Sequence, residues 1–137
     1  MKPKAWLGIL VGSLTQVGLK TVLPIAVLVA IRMWSLETDD KSLWLEQPDD
    51  ASHPVWFALQ ASIFLGSALA GILAGILSPR RSLVVPIALV TLSLLATAFE
   101  QFPRPATPSV LLVWAVGPCL GLLVGLLSVR IFQGRNA

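Results

Sequence analysis

Apolar residues dominate four long stretches of the chain, residues 5–33, 54–77, 83–99 and 108–132, and polar residues gather between them. A helix that crosses a bilayer needs about 20 mainly apolar residues. Strands of a membrane barrel are about 10 residues long and alternate in polarity. These runs are continuous, so the pattern predicts four transmembrane helices. The expected fold is an all-α integral membrane four-helix bundle forming one domain over residues 1–137. A polar, acidic loop is expected at residues 35–53.

Local chemistry supports the boundaries. Pro54 and Pro108 open two of the runs, and Ser52, His53 and Thr107 precede them. Proline suits the first turn of a helix, where its missing N–H has no intrahelical partner to lose, and Ser or Thr caps well just before it. Pro86 lies in the first turn of the third run. Pro24 lies inside the first run and is expected to kink it. The start of the chain, with Lys2 and Lys4 before an apolar stretch, has the outline of a secretory signal. No small-x-small cleavage site follows, and the run continues to Ile31, so it is read as an uncleaved first helix.

Charge gives the runs a direction. Lys2, Lys4, Arg80, Arg81, Arg130 and Arg135 fall on one side of the predicted membrane; only Arg32, Lys41 and Arg104 fall on the other. The positive-inside rule puts both termini in the cytoplasm, here of a bacterial inner membrane. All seven acidic residues fall on the opposite side. Trp6 marks the inner end of the first helix, and Trp34, Trp56 and Trp114 mark outer ends, as interfacial aromatics do.

Composition agrees with lipid as the solvent. The chain is 55% hydrophobic and 12% charged, with a net charge of +3, against roughly 25% charged residues in a soluble domain. The basic residues flank apolar runs and form no aromatic-interleaved patch, which argues against nucleic acid. The single cysteine, Cys119, rules out an intrachain disulfide and is read as an inert thiol. Asp49, Asp50 and His53 lack a compelling ligand spacing, so no metal or other cofactor is expected. With one histidine, no nucleophile–base arrangement and no phosphate loop, the chain is not expected to be an enzyme.

Small residues recur at four-residue spacing. Gly8 and Gly12 form one stripe; Ser67, Gly71 and Gly75 form a second, with Gly66, Ala70 and Ala74 beside it; Gly117, Gly121 and Gly125 form a third. Such GxxxG faces let helix backbones approach closely, and packing drives helix association in lipid. Contacts within the chain, such as helix two on helix four, are the favoured use, and a stripe left over would meet a second subunit. Residues 71–80 and 121–130 also echo one another, matching Gly71, Gly75, Ser78 and Arg80 to Gly121, Gly125, Ser128 and Arg130. That raises a possible tandem repeat of two helical hairpins about an axis along the membrane normal.

Lys20 stands near the middle of the first run. A central lysine costs about 2.5–3.5 kcal/mol on insertion scales, and each Leu, Ile or Val returns about 0.3–0.6. The fourteen such residues between Trp6 and Ile31 offset it. Gln16 precedes it by one turn, so one face reads Gly8, Gly12, Gln16, Lys20, suited to the bundle interior. Thr15, Ser62, Thr91, Ser93 and Thr97 are candidate oxygen donors to this face. With Glu100 placed beyond the third run, no acid lies at membrane depth, so Lys20 is expected to have no carboxylate partner within the chain; the readings open to it are a neutral buried amine, an acid from a partner protein or a second copy, a wet cavity that attracts an anion, or snorkelling with bonds to Gln16 and backbone carbonyls.

Size and helix number match small multidrug resistance transporters and small fluoride channels. The membrane-embedded glutamate of the former's first helix is replaced here by Lys20, and the latter's glycine–arginine signature is absent. No family is assigned. The expected function is that of a non-enzymatic accessory, assembly or homo-oligomeric membrane protein acting through small-residue helix contacts. The alternative is a minimal transporter or channel, for an anion, with Gln16 and Lys20 lining the path.

Overall fold

The computed structural model describes residues 3–39, 53–101 and 108–135. They form four α-helices in chain order: α1 (Pro3–Thr38), α2 (Pro54–Leu77), α3 (Val84–Gln101) and α4 (Pro108–Arg135). There is no strand among the described residues. The chain is therefore all-α with four helices, as its polarity pattern predicts.

Three helix ends run past their expected bounds, among them that of α4, which reaches Arg135 where the apolar run ends at Phe132. α1 continues to Thr38 and takes up the first part of the expected loop; Asp39, in the left-handed region at φ 52°, follows its end. Aspartate tolerates that conformation because its short polar side chain bonds locally. The remainder of the loop, with Leu43, Trp44 and Leu45 and with Asp49 and Asp50, lies outside the described residues. α3 continues to Gln101, so Glu100 belongs to a helix and not to a connection.

The helices are unequal. At about 1.5 Å per residue, α1 with 36 residues is about 54 Å long and α3 with 18 about 27 Å. α1, α2 and α4 are long and apolar enough to cross a membrane, and α3 is a shorter apolar helix. α1 remains α-helical through Pro24, and α4 through Pro118. At the start of α2, His53 is the cap: its Nδ1 accepts from the Val55 amide at 3.2 Å, with Pro54 in the first turn.

α2 is the hub. It packs on α1 and α4, while α3 closes the ring by packing on α1 and α4. Gly8 lies against Ser78, and Gly12 against Ala74, so α1 and α2 run antiparallel. Gly121 lies against Ser67, and Gly75 against Val129, so α2 and α4 run parallel. α1 and α3 sit side by side. A twofold axis along the bundle, which the echo between residues 71–80 and 121–130 suggested, would put those two helices on opposite flanks of the α2–α4 pair.

Small residues line the contacts of α2 with α1 and α4, and large apolar ones cover the outside. Ser67, Ala70 and Ala74 are fully buried, whereas Leu65, Ile76, Leu95, Leu112 and Ile131 are exposed. Water-soluble monomers rarely show contiguous apolar surface on that scale. Several hydroxyls donate back to their own helix: Thr21 to the Val17 carbonyl, Thr91 to Ile87, Thr97 to Ser93 and Ser128 to Val124. That leaves fewer polar groups without partners where water is absent.

The closest contacts explain the glycines. A Cβ on Gly71 or Gly125 would collide with the carbonyl oxygen of Leu122 or Ala68 respectively, and one on Gly121 would lie 2.5 Å from the Phe64 oxygen. These are backbone-to-backbone contacts, which no side-chain rotation relieves. α2 therefore has two adjoining small-residue faces. Gly66, Ala70, Ala74 and Ser78 meet α1, and Ser67, Gly71 and Gly75 meet α4.

Candidate functional site

The α1 face with Gly8, Gly12, Gln16 and Lys20 turns inward against α3 in a regular register. Gly12 faces Leu89, Gln16 bonds Ser93, and Lys20 bonds Thr97. Each step is one helical turn on two parallel helices, so both stripes advance together. The lower end of the interface is apolar. There Leu89, Leu122, Leu126, Ala70 and Ala74 form a buried cluster with Val85, Ala5 and Ile9.

Polarity begins at Gln16. Its Nε2 donates to the Ser93 Oγ at 2.8 Å, and both residues are buried. One turn further, Lys20 Nζ donates to Thr97 Oγ1 at 3.2 Å and to Glu100 Oε2 at 2.9 Å. Thr97 Oγ1 itself donates to the Ser93 carbonyl, which orients its lone pairs toward the ammonium. Gln16, Ser93, Thr97, Lys20 and Glu100 thus form one polar seam between α1 and α3.

This corrects the expectation that Lys20 has no carboxylate partner within the chain. Glu100 supplies it from within. The acid was misplaced because the apolar run ends at Phe99, which set Glu100 beyond the helix. A readable signal existed. Ser93, Thr97 and Glu100 are spaced four and three apart, so they share one face of α3.

Helix electrostatics favour the pairing. A carboxylate at a helix C-terminus opposes the partial negative charge of the unpaired carbonyls there, and a cation offsets both. Lys20 brings its ammonium to the last turn of α3. The pair is unevenly sheltered, with the Lys20 side chain 12% exposed and that of Glu100 49%.

A cavity of about 250 Å³ adjoins the pair. It is lined by Lys20, Thr21 and Pro24 from α1, Ile63 from α2, Glu100 from α3 and Trp114 from α4, so every helix contributes. Pro24 has no N–H to offer the carbonyl four residues earlier. That carbonyl belongs to Lys20, so it lacks the donor an uninterrupted helix would supply.

The packing residues fall into place elsewhere. Gly8, Gly12, Ser67, Gly71, Gly75, Gly121 and Gly125 all meet neighbouring helices of the same chain. Gly117 does not: a Cβ there would find open space within 4 Å. At the opposite end of the bundle, Arg130 Nη2 donates to the Ser82 carbonyl and ties α4 to the start of α3. Among the described residues, no group of His, Cys, Asp and Glu is placed to hold a metal ion.

No known family model matches the chain, and no curated protein or solved structure is significantly similar to it.

Proposed function

We propose that the chain is a four-crossing bacterial inner-membrane protein with both termini in the cytoplasm. It works without catalysis, as an accessory or assembly partner or as a homo-oligomer, through contacts made within the membrane. The unequal sharing of charge between the two ends supports the orientation. At 18 residues, α3 falls within the range of a spanning helix.

The observation that carries the reading is the Lys20–Glu100 pair, its lysine sheltered and its carboxylate half exposed. Maintaining charge at that level is costly, and intramembrane ionisable residues tend to mark function. The small-residue stripes are engaged inside the bundle except at Gly117, which leaves little of them as a partner surface. The distal half of α1 remains, with Val22, Ile25, Val29 and Met33 all exposed.

Site-specific photo-crosslinking from Ile25 in native membranes tests this reading. One discrete protein adduct, a dimer of the chain or a heterologous complex, is expected from Ile25 and not from the lipid-facing Leu127. Adducts with lipid alone at both positions would defeat it.

A specific observation also supports the transporter alternative, since all four helices line a cavity that contains Lys20. Two features rank it second. Glu100 balances the lysine, so the cavity lacks the net positive charge an anion path needs. Below Gln16 the interior is filled by Leu89, Leu122 and Leu126. Anion flux into liposomes that vanishes with Lys20→Met would reverse the ranking.

A further inference from the structure

We infer that the cavity beside Lys20 and Glu100 binds a zwitterionic headgroup with a primary ammonium and an anionic phosphate oxygen, as in an aminophospholipid. The inference rests on the membrane placement proposed above: Glu100 lies in the last turn of α3, the shortest of the four helices, so the cavity sits at the outer end of that span, within reach of a lipid headgroup.

The cavity holds unused capacity of both signs. Lys20 Nζ has three N–H donors; its two bonds go to Thr97 and Glu100, which leaves one. Glu100 uses Oε2 for Lys20, which leaves Oε1 as an acceptor. Pro24 leaves the Lys20 carbonyl without its helical donor, a second acceptor for a cation. Thr21 Oγ1 donates to the Val17 carbonyl, so its lone pairs face outward as a third. Trp114 and Ile63 supply an apolar wall, and an indole face attracts an ammonium group.

The balance of these groups selects the ligand class. A simple anion would meet the Glu100 carboxylate, and a simple cation would meet the Lys20 ammonium. A zwitterion satisfies both, its ammonium on Glu100 and its phosphate oxygen on Lys20. The half-exposure of Glu100 leaves room for that approach.

The test is native mass spectrometry of the full chain in mild detergent, with phosphatidylethanolamine, phosphatidylglycerol or phosphatidylcholine of matched acyl chains. One molecule of phosphatidylethanolamine is expected to be retained about tenfold better than either of the others, a ratio suited to one charge-assisted hydrogen bond pair. Glu100→Gln, with helix content checked by circular dichroism, should erase that preference. Thr21→Leu, which narrows the cavity without touching the ion pair, should do the same if Glu100→Gln fails to fold. Free phosphoethanolamine competing at equal concentration would assign a soluble ligand of this chemistry; lack of competition would assign the lipid. Equal retention of all three lipids by the wild type would overturn the inference, as would a preference untouched by Thr21→Leu. Alkaline extraction of the chain from membranes separates the two levels: extraction refutes the placement itself, whereas a membrane-retained chain without the lipid preference refutes only the ligand.

Discussion

Lys20 on α1 meets Glu100 on α3 at 2.9 Å, joining helices whose partners lie eighty positions apart in the chain. The contact turns two separately unfavourable features, a lysine inside an apolar helix and a carboxylate at a helix C-terminus, into one favourable arrangement. Lys20→Met breaks it from one side and leaves Glu100 at the negative end of α3. We expect a loss of about 1–2 kcal/mol in unfolding from detergent micelles.

The glycine contacts between α2 and α4 make a sharper distinction. Gly125→Ala must push the helices apart, because the obstruction is the Ala68 backbone. A loss of about 2 kcal/mol or more is expected. Gly117→Ala meets open space and should change stability by less than about 0.5 kcal/mol. Thermal melts of the two variants in the same detergent make the comparison.

Gln16→Leu removes the donor to Ser93 at a buried level of the seam. Interhelical hydrogen bonds in membrane proteins average about 0.6 kcal/mol in double-mutant cycles. The loss should therefore be smaller than for Gly125→Ala, and Gln16→Leu combined with Ser93→Ala should recover part of it.

Orientation has its own test. In a Cys119→Ala background, a cysteine at Glu37 should react with an impermeant maleimide on intact cells. One at Gln133 should react only after the membrane is opened. The reverse pattern would invert the proposed topology.

Much of this architecture is legible in the sequence because lipid imposes a simple rule. Spanning helices must be long and apolar, so residues 54–77 mark α2 to the residue. The inward face of α1 is legible too, since Gly8, Gly12, Gln16 and Lys20 share one stripe. What escaped was the acid. Hydropathy ends α3 at Phe99, but a helix follows its hydrogen bonds past the last apolar residue, and α3 runs two residues further, to Gln101, carrying Glu100 with it. The use of each glycine was also beyond reach. Gly117 and Gly121 belong to the same stripe, yet only Gly121 touches a neighbour, because α4 reaches the α2 backbone below that level. The relation between the hairpins escaped for a similar reason: likeness between residues 71–80 and 121–130 constrains α2 and α4 alone and leaves α1 and α3 free to lie side by side.

The central claim is that one chain completes its own charged pair at membrane depth. The most direct measurement is a double-mutant cycle with Lys20→Met, Glu100→Gln and the two combined, read as unfolding free energy in a single detergent. A coupling of about 1 kcal/mol or more is expected, with the double variant more stable than Lys20→Met alone. Additive losses, within about 0.3 kcal/mol, would contradict the pairing of α1 with α3 and return the lysine to a partner outside the chain.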